Sequence, residues 1–287
     1  MALIGRRPHT LNYAPLSRLA AACLALLAGG PAAAQGVPLP AAIGKSGTMT
    51  VAIVPNYPPL EFRDPATNAL TGFDVDLGDA IAGKLGVKLV WQETSFDQMI
   101  PAIATGRADA VISGMSDLAT RHDAASFIDY LRSGPQFFVQ QSRADEFKTM
   151  AALCGKRVGA SRRTSFPKEI AAWSEAHCGG QAITVVGTEG SADARTQLRQ
   201  GRIDAAVQGS ETLGYIMEQD PNSYVAVGAP LAMQFTGIAV SAKDTGLQQA
   251  IAGALDGLIA DGTYKTLLAK WDLADAGVAK ATINAGQ

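Results

Sequence analysis

Gly106-Arg107-Ala108-Asp109-Ala110-Val111-Ile112-Ser113-Gly114 is answered 95 positions later by Gly201-Arg202-Ile203-Asp204-Ala205-Ala206-Val207-Gln208-Gly209. Each copy follows a stretch with helical spacing and leads into a short apolar run. The unit reads as a helix, a glycine stop, a buried strand and a loop of small residues. A chain that builds this unit twice is expected to form two similar α/β lobes. Two such lobes face each other across a cleft, and clefts of that kind bind small molecules. The competing reading is coincidence within ordinary αβ grammar.

Working outward, Thr48–Val54 is a β-branched, apolar run and reads as a strand. Tyr57-Pro58-Pro59-Leu60-Glu61-Phe62 cannot be helical, because two prolines block it. Gly72-Phe73-Asp74-Val75-Asp76 opens a helix ending near Lys84, with Asp74 as the expected N-cap and Gly86 beyond the end. Strands follow at Val87–Gln92 and Ala108–Ile112, with a helix at Phe96–Ala104 between them. This βαβαβ order predicts a parallel sheet whose binding edge lies at the strand carboxyl ends. Ser133-Gly134-Pro135 breaks the pattern before a strand at Gln136–Gln140. A second series has strands at Lys156–Ala160, Ile183–Val186 and Asp204–Gln208, and helices at Phe166–Glu175 and Ala192–Arg199. A strand at Phe235–Val240 and helices at Leu247–Ile259 and Tyr264–Trp271 close the chain. The Ala/Gly-rich tail from Asp275 is expected to wrap loosely. Leaving one lobe near Gly134 and returning near Thr236 makes a hinge of two crossings.

Arg6, Arg7 and Arg18 precede an apolar stretch at Leu19–Ala28, and Ala32-Ala33-Ala34 offers a small-residue cleavage site. That pattern is a secretory signal peptide over residues 1–34. Its apolar core is about 10 residues, against roughly 20 for a membrane span. The remaining 253 residues carry 21 Lys and Arg against 26 Asp and Glu, with no basic block. Nucleic acid is therefore not an expected partner. Cys154 and Cys178 remain after cleavage, and an oxidising compartment favours a disulfide between them over two free buried thiols. His122 and His177 show no ligand-like spacing with the cysteines, so no metal site is expected, and no cofactor motif is present.

In these pieces the chain resembles the periplasmic amino-acid-binding proteins, the family 3 solute-binding components of ABC importers. The resemblance rests on Tyr57–Phe62, Gly72–Leu77, Phe96–Gly114, Arg121, the second Gly-Arg-Ile-Asp-Ala and Asp261-Gly262-Thr263-Tyr264. It implies an α/β, two-lobed periplasmic-binding-protein fold, two βα sandwiches joined by two crossover strands. The lobes would be residues 47–134 with a return segment at 236–287, and residues 135–235. It implies a periplasmic monomer that closes on an amino acid or small carboxylate and delivers it to a permease. By resemblance, Tyr57 covers the ligand and Trp91 is a second aromatic on the opposite side. Ser113, Gly114 and Ser116 form the hydrogen-bonding loop, while Arg121 and the hydroxyl of Ser165 take the α-carboxylate. A planar guanidinium grips a carboxylate through two parallel hydrogen bonds, and a helix start favours the same charge. The bland readings are a solvated Arg121, and Tyr57 and Trp91 as core residues.

Two departures bear on the ligand. Where the family usually has an acidic residue for the α-ammonium, this chain has Gly209, in Gln208-Gly209-Ser210-Glu211. Either Glu211 takes that place or the ligand has no free α-ammonium there; its competing reading is an exposed helix residue. Arg162 and Arg163 replace the usual small residues at the mouth of the second lobe and would favour an anionic ligand if they face the cleft; the competing reading is surface residues. Together the two departures weigh against an ordinary neutral or cationic amino acid and leave acidic amino acids, modified amino acids and small carboxylates open. The alternative function is an enzyme resembling cyclohexadienyl dehydratases. That reading needs a proton donor in the cleft, with Glu211 the one candidate.

Overall fold

The structure, a computed structural model, describes residues 39–287 and Ala2; the expected signal peptide otherwise lies outside the described residues. Helix α1 (Ala41–Ser46) leads into β1 (Thr48–Ile53) and a ribbon of β2 (Asn56–Tyr57), β3 (Glu61–Arg63) and β4 (Leu70–Thr71). Next come α2 (Phe73–Leu85), β5 (Lys88–Glu93), a 3-10 turn at Phe96–Gln98, α3 (Met99–Ala104) and β6 (Ala110–Val111). A second 3-10 turn at Ala119–Arg121 precedes the long β7 (Ala125–Ser133). After Gly134 follow β8 (Pro135–Gln140), β9 (Arg157–Ser161), α4 (Phe166–His177), β10 (Thr184–Thr188) and α5 (Ser191–Arg199). Then come β11 (Ala205–Gly209), α6 (Ser210–Gln219) and β12 (Tyr224–Val227). The chain closes with β13 (Gln234–Ser241), α7 (Thr245–Ala260), α8 (Thr263–Lys270) and β14 (Gly277–Ile283).

Two large mixed sheets result. The first runs β14-β7-β13-β6-β1-β5 and the second β10-β9-β11-β8-β12. Their centres share one plan. In each, a first strand (β1 or β9) pairs in parallel with two others, and an antiparallel strand (β13 or β8) flanks the last of these. The repeated phrase explains the likeness at atomic level. Gly106 and Gly201 sit at φ 72° and 66°, the left-handed turn that stops each preceding helix. The Asp109 carboxylate then accepts the Thr50 backbone N–H at 2.7 Å, and Asp204 accepts that of Arg157 at 3.0 Å. Each aspartate thus clamps the start of the neighbouring parallel strand, in the same place in both halves.

Both sheets are covered on both faces, so their central strands are apolar throughout. Val51, Ala110, Ile128 and Ile238 face a core with α2, α7 and α8, while their neighbours Ala52, Val111, Phe127 and Ala239 face α3. In the second sheet Phe137, Val139 and Val158 bury one face, and Phe138 and Ala206 the other. A Cys154–Cys178 disulfide ties the turn before β9 to the carboxyl end of α4.

Three expectations change. Gly72, not Asp74, is the N-cap of α2; Asp74 is fully buried and accepts from Gly114 N–H and the Tyr130 hydroxyl. The tail is not loose. β14 pairs with β7, and beyond it Gly286 N–H donates to Asp117 while Phe127 N–H donates to the Asn284 side chain. A Cβ on Gly286 would fall on the Asp117 carbonyl, so the small residues of the tail permit a close approach. Finally, β12 forms an edge strand where no strand was expected. Its four residues between Pro221 and Gly228 are too few to show a period.

Candidate functional site

The carboxyl ends of β1, β6, β9 and β11 open toward a common cavity of about 850 Å³, counting the part open to solvent. Its walls include Tyr57, Phe96, Ser113, Gly114, Ser116 and Arg121 from the first half and Thr164, Ser165 and Gln208 from the second. Tyr57, Ser113, Gly114, Ser116, Arg121 and Ser165 therefore meet at one place, although 108 positions separate Tyr57 from Ser165.

Arg121 ends the 3-10 turn that follows the Ser113–Ser116 loop. Its Nη1 donates to the Ser116 carbonyl at 2.6 Å, and its guanidinium carbon lies 6.0 Å from the centre of the Phe96 ring. One nitrogen is thus anchored, which leaves Nε and Nη2 without a protein acceptor among the described residues. Burial lowers the Arg121 pKa, opposed by the charges of Glu169 and Asp117. An arginine stays protonated through such a change. Across the cavity Ser165 is the N-cap of α4. Thr164 caps the next N–H, accepting from Phe166 at 3.3 Å, and the Ser165 N–H and hydroxyl have no partner among the described residues. Arg121 and Ser165 together present unfilled donors and positive charge, the arrangement that binds a carboxylate.

The Ser113–Gly114 loop does the opposite. Ser113 Oγ donates to Glu61 Oε1 at 2.8 Å and accepts from Val54 N–H, while Gly114 N–H donates to Asp74 at 2.9 Å. The Ser113 hydroxyl and the Gly114 N–H are thus committed to buried carboxyls rather than to a ligand. Gly114 has φ 57°, and a Cβ there would lie 3.1 Å from the Tyr57 ring. Glycine satisfies both the turn and the packing of that ring.

The Gly209 position is resolved by packing. A Cβ on Gly209 would fall on the Glu211 carboxylate and the Tyr57 hydroxyl. The carboxylate missing from residue 209 is thus supplied to the same space by Glu211, from the first turn of α6. Glu211 accepts from the Ser133 hydroxyl, and Tyr57 accepts the Gly209 N–H at 2.9 Å. Tyr57 so pins the first half onto the second. Burial pushes the Glu211 carboxyl up to about 7. Glu211 stands behind the Tyr57 hydroxyl and is not part of the cavity wall.

Trp91 is placed elsewhere. Its indole fills the space over Gly78 of α2, where a Cβ would come within 2.6 Å of it, and it joins the core of the first sheet. Phe96, at the start of the 3-10 turn, and Phe166, at the start of α4, are the aromatics that line the cavity with Tyr57. Arg162 pairs with Glu189 at 2.8 Å and is not in the wall. Arg163 is in the wall and lies 3.5 Å from Glu189 and 3.7 Å from Asp97. Both arginines meet carboxylates, so the mouth carries little net attraction for an anion. Among the described residues no group of His, Cys, Asp and Glu is disposed to hold a metal ion. Glu61, a wall residue buried to 1% exposure, was not singled out as a site residue by sequence. Its partner Ser113 lies 52 positions along the chain, and Asp74 is in the next helix.

Known proteins are similar to this chain in sequence and fold. The L-arginine-binding protein of Pseudomonas aeruginosa is 31% identical over 222 residues, covering 75% of this chain and 84% of that one. The histidine-binding periplasmic protein of Salmonella typhimurium is 28% identical, covering 76% and 84%. The structure of an ancestral arginine-binding protein bound to arginine superimposes with a TM-score of 0.71 at 31% identity, covering 78% of this chain and 98% of that one. Residues 49–274 match the family described as bacterial extracellular solute-binding proteins, family 3. With the two-sheet fold and the shared cavity, that match means that this chain belongs to family 3 of the bacterial extracellular solute-binding proteins.

Proposed function

We propose that this chain captures a basic L-amino acid, L-arginine foremost, outside the cytoplasm and delivers it to the membrane permease of an ABC importer. The α-carboxylate lies against Arg121 and Ser165, the side chain between Tyr57 and Phe96, and the Ser113–Ser116 loop hydrogen-bonds the ligand. The observation that carries this reading is the polarity of one cavity: unfilled donors at Arg121 and Ser165, and a buried, unpaired acceptor at Glu61 Oε2. Relatives named for arginine and histidine support a ligand with a cationic group. Closure turns on the two crossings, at Gly134 and between β12 and β13, and the closed form docks on the permease. The dehydratase reading is weaker here, because its proton donor, Glu211, lies behind the Tyr57 hydroxyl.

A thermal-shift panel of the common amino acids tests the proposal. Ligand at about 1,000 times its Kd adds roughly 4 kcal/mol to stability. At about 2–4 °C per kcal/mol for a chain of this size, the melting point rises by about 8–16 °C. A melting point unmoved by every amino acid would refute the proposal.

A further inference from the structure

Glu61 is a wall residue with a buried carboxylate oxygen that the cavity leaves unpaired. Its Oε1 accepts the Ser113 hydroxyl, but its Oε2, equally buried, has no hydrogen-bond donor among the described residues. The groups that face it come from every side. Tyr57 lies on β2, Asp74 on α2, Tyr130 on β7, Ser113 on the loop after β6 and Glu211 on α6. They comprise two further carboxyls, two phenols and a hydroxyl, with no Lys, Arg or His among them. The phenol of Tyr130 and the Gly114 N–H already serve Asp74. Three carboxyls in one buried cluster without a cation cannot all be ionised in the empty protein. Burial first and Asp74 second push the Glu61 pKa well above the usual carboxylate range, and burial pushes that of Asp74 up to about 6.

We propose that Glu61 receives the cationic side chain of the bound amino acid, and that its arrival expels the proton that Glu61 and Asp74 share in the empty cleft. The assignment rests on the reading of the cavity as an amino-acid site. A guanidinium or ammonium set against Oε2 supplies the positive charge and donors that the proton supplied before. The ligand enters already charged, the proton passes to the buffer, and the charge of the cluster with its guest is unchanged. The Ser113 hydroxyl and the Gly114 N–H do not compete for the ligand's acceptors, since they hold the two carboxyls in place. Selectivity follows: a neutral isostere of arginine leaves the proton where it is and forgoes the ion pair.

Calorimetric titration reads this directly. L-arginine is titrated into the protein near neutral pH in two buffers, Tris and phosphate, that differ in heat of protonation. About one proton should be released per ligand bound, by linkage, so the two heats differ accordingly. L-citrulline, neutral and nearly the same shape, should release none and bind at least about tenfold more weakly, a charge-assisted hydrogen bond being worth roughly 1.5–3 kcal/mol. Glu61→Gln should abolish both the proton release and the preference for arginine. The proton count on the native protein needs no variant, so a Glu61→Gln chain that fails to fold leaves the test intact. Equal heats in the two buffers with L-arginine bound would overturn the assignment and leave amino-acid capture standing. A native protein that binds no amino acid would overturn both.

Discussion

Raising the pH should weaken the ligand-free protein across the range where most globular domains are at their firmest. The cause is the carboxyl cluster beneath Tyr57. Glu211 is pushed up to about 7 and Asp74 to about 6, from ordinary values of 4.5 and 3.8. A carboxyl whose pKa is raised by folding keeps its proton in the native state and releases it in the unfolded one. Its stabilising effect is complete below the unfolded value and is lost as pH rises through the folded value. One pKa unit corresponds to about 1.36 kcal/mol, so either residue alone would contribute roughly 3 kcal/mol. The two belong to one buried cluster and titrate together, so their contributions do not add. A total loss of roughly 3 kcal/mol between about pH 4.5 and 7 is the expectation. The carboxyls with lowered pKa, such as Asp204 and Asp193, lose stability in the opposite direction and at more acid pH. Urea unfolding of the ligand-free protein at about pH 5 and about pH 7.5 measures the difference. With a slope of about 3 kcal/mol per molar, the midpoint should fall by about 1 M. Glu211→Gln, neutral at both values, should flatten part of the dependence. A midpoint that rises with pH across this window, with the same slope in Glu211→Gln, would refute the reasoning.

Other consequences follow from single contacts. Gly209→Ala places a methyl on the Glu211 carboxylate and the Tyr57 hydroxyl. It should cost about 1–3 kcal/mol by overpacking, recovered in large part by adding Glu211→Ala, as thermal melts of the single and double variants would show. Replacing Cys154 and Cys178 by serine opens a loop with a sequence separation of 24 and should lower unfolding stability by about 3 kcal/mol in urea titrations. Arg163→Ala removes the contact with Asp97 across the mouth, between side chains 43% and 48% exposed. Such a pair is worth at most about 1 kcal/mol, so ligand release measured by stopped flow should quicken no more than about fivefold. The effect should vanish at about 1 M salt.

The architecture was legible where its causes are local. A glycine stop and an aspartate clamp lie within four residues of each other, and both recur, so the doubled unit can be seen without knowing any distant contact. The same holds for Arg121, which follows the Ser113–Ser116 loop by a single turn. The rest depends on residues that meet only in space. Trp91 and Phe96 are separated by a short loop, and composition does not say which ring turns toward Gly78 and which toward the cavity. Glu61 gains its meaning from Ser113 and Asp74. Glu211 gains its meaning from the empty space at Gly209, which is visible only when Tyr57 is in place. The tail misled for a related reason. Small residues read as looseness, yet they let Gly286 approach the buried Asp117.

The account turns on a carboxylate held by Arg121, and calorimetric titration of native and Arg121→Ala proteins with L-arginine, and with agmatine, which lacks the carboxylate, tests it most directly. Truncating one partner of a buried, charge-assisted pair costs about 2–5 kcal/mol, so arginine should bind the variant about 30-fold or more weakly. Agmatine should bind the native protein poorly and the variant no worse. Affinity for L-arginine retained within about threefold in Arg121→Ala, with the fold intact by circular dichroism, would contradict the account, since a difference that small is below 1 kcal/mol.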